Sequence, residues 1–343
     1  MMAHSTSSGQ AQEPAVKIAK PLETRTPWAR QHLLDLDDLS RDEMETILET
    51  TDAMKEILGR EVPRVPALRG RTIVTLFYEA STRTRASFEL AGKALRADVI
   101  NVAAGGSSVE KGESLIDTVR TLEAIGAEIL VMRHPSAGAP YLVARHLSAS
   151  VVNGGDGQHA HPTQALLDLF TMRAHIGDLR GKRVAIVGDI EHSRVARSNI
   201  WGLAAMGANV VVCGPPTLLP ASMRSGDQPP EGHGLPPVEV ETNIDAAIEG
   251  ADVVMALRLQ KERMQGGLIP SVREYATLYQ ITPERLSRAK TGALVMHPGP
   301  MNEGVEISPE VATSLQSVIE EQVTNGVAVR MAVLYLLARG KTS

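Results

Sequence analysis

A single cysteine, Cys213, stands in the 343 residues. Its solitude excludes an internal disulfide and any metal site built from several thiolates. Its setting, Val210-Val211-Val212-Cys213, points to a buried apolar thiol. Long hydrophobic runs are also missing: no stretch approaches the roughly 20 apolar residues that span a bilayer. The N-terminal stretch has no apolar signal-peptide core. Nor is there an excess of positive charge. Lys and Arg total 35 against 40 Asp and Glu, a net charge of −5, which argues against a binder of nucleic-acid backbones. Neither a Gly-x-Ser-x-Gly elbow nor a Walker loop occurs. The expectation is a cytoplasmic enzyme with no nucleic-acid or membrane partner and no obvious covalent catalyst. Its 43% hydrophobic content and its length suffice for two domains.

Residues 1–26, rich in Ser, Gln, Ala and Pro without periodicity, read as a mobile tail. A first helix follows Ser40, with Glu43 completing a capping box. Apolar strand-like runs then alternate with helical patterns. Strands are expected at 72–77, 98–102, 129–132 and 150–153, with helices after Ser81, from Ser114 and over 139–147. Gly154-Gly155-Asp156-Gly157 reads as a turn cluster. A helix beginning near His161-Pro162 marks the passage between domains. The pattern then restarts: strands at 183–188, 209–213, 238–241, 252–257 and 293–296, helices at 193–206, 244–248 and 283–289. Residues 214–237 read as a loop with one short helix, and 258–281 as a long loop with helical pieces. A long helix covers 318–338. Such alternation predicts an α/β fold of two similar domains, each a parallel β-sheet flanked by helices.

The chemistry concentrates at the ends of the strands, where open α/β sheets bind ligands. Phe77-Tyr78-Glu79-Ala80-Ser81-Thr82-Arg83-Thr84-Arg85 lies at a strand-to-helix turn, with Ser81 as N-cap. First-turn N–H groups, three hydroxyls and two guanidiniums suit a phosphate dianion; a capped helix with solvated arginines is the plainer alternative. Arg133 follows a buried strand and extends the cationic wall, or pairs with a carboxylate. His161 sits at a helix start, where the dipole favours a neutral ring. With His159 it makes a poor metal pair, since spacing indicates no third ligand; no metal is expected. Gln164, one turn on, can read an NH2 group with its carbonyl oxygen. Gly188-Asp189-Ile190-Glu191-His192-Ser193 lacks the second glycine of a dinucleotide loop and adds negative charge. Arg194 and Arg197, and Arg258 with Gln260 and Lys261, suit carboxylates, or form charged surface runs. His297-Pro298-Gly299-Pro300 aims backbone carbonyls in fixed directions, or is a simple rigid turn.

Ser-Thr-Arg-Thr-Arg after a strand resembles the carbamoyl-phosphate motif of the aspartate/ornithine carbamoyltransferase family. So do, in family order, the segments 107–114, Met132-Arg133-His134-Pro135, 153–157, His161-Pro162-Thr163-Gln164, 188–199, 258–263 and 297–300, covering about residues 28–340. The last two are aspartate-type, where ornithine enzymes carry Ser-Met-Gly and His-Cys-Leu-Pro. Two arginines suit a dicarboxylate and repel a cationic acceptor; another amine acceptor such as ornithine is the alternative.

The resemblance implies transfer of the carbamoyl group from carbamoyl phosphate to L-aspartate in pyrimidine biosynthesis, without cofactor or covalent intermediate. It implies Ser81, Thr82, Arg83, Thr84 and Arg133 on the phosphate, and Thr84, Arg133 and His161 on the carbonyl. Gln164 and the backbone of Pro298, Gly299 and Pro300 would take the amino group, and Lys111, Arg194, Arg258 and Gln260 the aspartate carboxylates. Ser107 and Lys111 would reach in from a neighbouring subunit of a homotrimer. Glu110 departs from relatives with a second basic residue there. The implied division is 27–160 with 317–343 for carbamoyl phosphate, joined by inter-domain helices to 161–316 for aspartate. A regulatory chain or a dihydroorotase partner is compatible with the resemblance.

Overall fold

The computed structural model describes residues 28–103, 113–224, 234–260, 267–269 and 271–340. The expected N-terminal tail lies outside these, as do Ser107, Glu110 and Lys111 of the 105–113 loop. The chain runs α1 (Arg41–Leu58), β1 (Thr72–Phe77), α2 (Thr82–Ala94), β2 (Asp98–Ala103), α3 (Leu115–Ala124), β3 (Ile129–His134), α4 (Ala139–Ala144) and β4 (Ser150–Asp156). Then come α5 (Pro162–Ile176), β5 (Arg183–Val187), α6 (Arg194–Ala205), β6 (Asn209–Cys213), α7 (Ala221–Arg224), β7 (Glu239–Glu241), α8 (Ile244–Ile248) and β8 (Val253–Ala256). The last elements are α9 (Val272–Tyr279), α10 (Pro283–Leu286), β9 (Leu294–Met296), α11 (Pro309–Ala312) and α12 (Ile319–Arg339).

These strands build two all-parallel sheets, ordered β2-β1-β3-β4 and β7-β6-β5-β8-β9. Both faces of each sheet are covered, as parallel sheets require. The period of two is visible in the core. Ile73 and Phe77 of β1, with Val184 and Ile186 of β5, face one continuous core that also holds α5 and α12. Val74 and Leu76 face a second cluster against α3 and α4, and Ala185 and Val187 a third. Helix α5 has no solvent-facing side through its first three turns: Pro162 to Met172 is buried throughout. A helix buried all round must be wrapped, and α6, α12 and β4 wrap it. Helix α12 returns from the second sheet to pack on α1 and α2, so both sheets share one central support.

Ser40 makes the expected capping box with Glu43. Two expectations need correction. Strand β4 continues through Gly154 and Gly155 to Asp156 instead of turning. Gly155 has φ +117, and a Cβ there would lie 3.1 Å from the Arg194 guanidinium carbon. Gly155 thus leaves room for Arg194 and Arg133 beside the strand, and Gly154 for the Met132 carbonyl. The segment 258–281 contains the regular helix α9, capped by Ser271 and pinned by Tyr275 and Tyr279 against the third cluster. The short α11 went unforeseen. Cys213 is fully buried, and burial pushes its thiol up to about 12. Among the described residues no helix is long and apolar enough to cross a membrane.

Candidate active site

Where strand order reverses in a parallel sheet, successive connections leave toward opposite faces and open a crevice at the strand C-termini. The reversal lies between β1 and β3 in one sheet and between β5 and β8 in the other. The C-terminal ends of these four strands and the loops after them border a single cleft of about 380 Å³. From β1 come Glu79, Ser81, Thr82, Arg83 and Thr84; from β3, Arg133; from β5, Ser193 and Arg194; from β8, Arg258 and Gln260. His161 and Gln164 enter from α5, and Pro298, Gly299 and Pro300 from the turn after β9. Of the candidate residues from the sequence that lie among the described residues, all but Arg85 and Arg197 line this cleft. The Arg197 guanidinium donates to the Glu191 carbonyl.

Charge separates the cleft from the rest of the molecule. Among the described residues, five arginines and one glutamate line it (Arg83, Arg133, Arg194, Arg258, Arg330 and Glu79), in a chain of net charge −5. Low-dielectric walls around one sign of charge focus a field that draws in anions.

Ser81 holds the N-cap position of α2, but its hydroxyl makes no capping hydrogen bond. Ser40, Ser114 and Ser193 all accept such bonds at their helices. The backbone at Ser81 (φ −157, ψ 95) turns its side chain to the cleft, leaving the first-turn donors of α2 for a ligand. Thr84 is buried one turn in. Burial lowers the Arg83 pKa, and the facing Arg258 charge lowers it further. Among the described residues Arg83 has no carboxylate partner. The Gly299 backbone (φ +67) accommodates its guanidinium; a Cβ there would stand 3.3 Å from Arg83 Cζ.

Glu79 ties the two halves together. Its Oε1 accepts from Arg133 Nη2 at 2.5 Å and from Arg194 Nη2 at 2.5 Å, and its Oε2 accepts from Arg194 Nη1 at 3.2 Å. Burial pushes this carboxyl up, but the Arg194 bonds and the two cationic charges outweigh it and hold it at about 2. Arg133 Nη1 also donates to the Gly154 carbonyl at 3.3 Å, and Arg194 Nη1 to the Gly157 carbonyl at 3.1 Å. Arg194 thus lines the cleft with its fork turned toward Glu79. In the sequence Glu79 stands within the Phe77 to Arg85 motif without an evident role; a carboxylate two residues before the Ser-Thr-Arg run is the available signal.

His161 is the N-cap residue of α5 and buried; its backbone N–H donates to Ser198 Oγ at 2.9 Å. His159 turns elsewhere, with its ring 3.1 Å from Asp156 and 3.5 Å from Asp35. His134 accepts from the Ser136 N–H at 3.0 Å and packs on Tyr78. Asp189 fills the turn after β5: Oδ1 meets the His192 ring at 2.8 Å, and Oδ2 accepts from Gln260 N–H at 3.3 Å. A carboxylate anchored there opposes a pyrophosphate and fixes the Gln260 backbone.

Behind the cleft, Asp168 is fully buried on α5. Burial pushes it up to about 7 against the pull of hydrogen bonds from Asn199, Gln322 and Gln164 and of the Arg330 charge. Arg330 itself, on α12, donates to Ser87 Oγ at 2.8 Å and lies 5.2 Å from the Phe88 ring centre. Burial draws it down to about 10 although Asp168 pulls upward. Gln322 and Arg330 were missed because polar groups on a mostly apolar C-terminal helix carry no motif.

Sequence comparison covers this architecture from end to end. Residues 31–174 match the model of the aspartate/ornithine carbamoyltransferase carbamoyl-P binding domain, and residues 180–337 that of the Asp/Orn binding domain. The chain belongs to the aspartate/ornithine carbamoyltransferase family. Within this family it is 61% identical over 310 residues to the aspartate carbamoyltransferase catalytic subunit of Chloroflexus aggregans, covering 90% of this chain and 98% of that one. Solved members share the fold. Trypanosoma cruzi aspartate transcarbamoylase in complex with carbamoyl phosphate and aspartate has a TM-score of 0.77 at 28% identity, covering 90% and 98% of the two chains. Pyrococcus furiosus ornithine carbamoyltransferase has a TM-score of 0.78 at 27% identity, covering 91% and 98%. The family fold therefore does not separate the two acceptors; the 61% likeness to an aspartate enzyme does.

Proposed function

We infer that this chain transfers the carbamoyl group of carbamoyl phosphate to the α-amine of L-aspartate, giving N-carbamoyl-L-aspartate and phosphate. The observation that carries the reading is the convergence of Ser81 to Thr84 and Arg133 from the first sheet and Arg194 and Arg258 from the second on one cleft. Such a concentration of guanidiniums suits anions, and the substrates are an acyl phosphate and a dicarboxylate. A cationic ornithine side chain would be repelled.

In this reading Ser81, Thr82, Arg83 and Thr84 hold the phosphate with the first-turn N–H groups of α2. Arg133, Thr84 and His161 donate to the carbonyl oxygen, where charge develops as the amine attacks. Gln164 and the turn at Pro298, Gly299 and Pro300 take the carbamoyl NH2. Arg258, Arg194 and Gln260 hold the carboxylates. The neutral amine of aspartate forms the new C–N bond, the C–O bond to phosphate breaks, and the departing phosphate accepts the amine proton. No covalent intermediate is needed. Juxtaposing two anions that repel in water supplies much of the rate.

An assay with aspartate and ornithine as rival acceptors tests this. Carbamoyl-aspartate and phosphate should appear in equal amounts, with ornithine inert; citrulline formation would contradict the reading.

Lys111 and Ser107 are proposed to complete the site from a neighbouring copy in a homotrimer. Lys111→Ala and Arg83→Ala chains should each be nearly inactive alone. Mixed under exchange conditions they should regain part of the activity, because hybrids contain some sites with both native residues. Verified exchange without recovery would rule out the sharing.

A further inference from the structure

Asp168 touches no part of the cleft, yet two recognition elements lead to it. Its Oδ1 accepts from Gln164 Nε2 at 3.0 Å and from Gln322 Nε2 at 2.7 Å, and its Oδ2 accepts from Asn199 Nδ2 at 2.8 Å. Three amides from three helices therefore direct their NH2 ends at one carboxylate. Beyond Gln322 the same direction continues. Gln322 Oε1 accepts from the His297 N–H at 3.0 Å, and His297 Nδ1 accepts from the Gly299 N–H at 2.8 Å.

A side-chain amide has two ends of equal size and opposite hydrogen-bonding sense. Nothing in its shape decides which end faces a ligand. An ionised carboxylate only accepts, so any amide bonded to it must turn its oxygen the other way. For Gln164 the other way is the cleft. For Gln322 it is the backbone N–H that begins the His297-Pro298-Gly299 turn.

We propose that Asp168 is a positioning residue for carbamoyl recognition: it commits Gln164 to present an acceptor oxygen to the cleft and, through Gln322, anchors the turn that faces the same group. The proposal deepens the carbamoyl-phosphate reading and rests on it. It assigns to Asp168 the discrimination of a ligand NH2 from a group of similar size with no N–H. Acetyl phosphate, with a methyl in place of the amine, is the matched probe. Inorganic phosphate, lacking both, reports on the anion cradle alone.

The test compares affinities for carbamoyl phosphate, acetyl phosphate and inorganic phosphate in the wild type and in Asp168→Asn, at an alkaline pH where Asp168 is ionised. In the variant Gln164 is free to turn either end outward. The preference for carbamoyl over acetyl phosphate should fall by about tenfold to a hundredfold, the scale of a misdirected buried hydrogen bond. Inorganic phosphate should bind as before. Equal weakening of all three ligands, or an unchanged preference, would overturn the proposal. If the variant does not fold, Gln322→Met carries the same test through the turn: a reduced preference supports the proposal and an unchanged one overturns it. A wild type with no preference for carbamoyl phosphate would overturn the reading of the site, and the proposal with it.

Discussion

Arg133→Ala is expected to lower kcat by a factor of about 10²–10³, or about 2.7–4 kcal/mol of transition-state stabilisation. The guanidinium ends a buried strand and is held on two sides, by Glu79 and by the Gly154 carbonyl. It is already oriented before substrate arrives, so no reorganisation is required when charge builds on the carbamoyl oxygen. Alanine removes that donor and one of the arginines paired with Glu79, leaving Arg194. Lysine should recover little, because a point charge cannot span the carboxylate, the carbonyl and a substrate oxygen together. Steady-state kinetics decide the matter. A kcat within a few-fold of wild type would remove Arg133 from the chemistry.

Glu79→Gln is expected to cost stability as well as activity. The wild-type carboxyl is held at about 2, against an ordinary value of 4.5. A depressed carboxyl stabilises the folded state above its unfolded pKa and loses that contribution as pH falls through its folded pKa. The window is therefore pH 4.5 down to about 2, and the contribution is about 3 kcal/mol. Glutamine keeps the shape but leaves Arg133 and Arg194 facing each other without a charge between them. The thermal midpoint of the variant at neutral pH should drop by several degrees, and its decline on acidification should be shallower than that of wild type. Activity should fall too, since Arg194 loses the group that aims it. Parallel midpoint curves for the two proteins across that pH window would contradict the assignment.

Much of the sheet architecture was legible because parallel strands buried on both faces read as continuous apolar runs. Val184-Ala185-Ile186-Val187 and Val253-Val254-Met255-Ala256 are examples. The helix after Ser81 was legible from its apolar spacing, and the convergence of the site from the rule that polar clusters follow strand ends. Gly154 and Gly155 misled because glycine suits a turn and a crowded strand equally; only the arginines beside β4 show which applies. Helix α9 was legible only as a helical piece of a long loop because its periodicity is weak, although Ser271 with Glu274 three residues on was a capping signal. Asp168 was the deepest omission. A carboxylate inside Leu166-Leu167-Asp168-Leu169-Phe170, on a helix buried all round, must have partners, but sequence cannot say that they come from α6 and α12.

The central claim is that groups from both sheets serve one cleft in which a carbamoyl phosphate and a dicarboxylate lie side by side. N-(phosphonacetyl)-L-aspartate joins those two chemistries in one molecule, so its binding to wild type, Arg83→Ala and Arg258→Ala by titration calorimetry is the direct measurement. One molecule should bind per chain, and each substitution alone should weaken binding by at least about tenfold. Binding that survives the loss of either arginine would mean that the two loops serve separate sites.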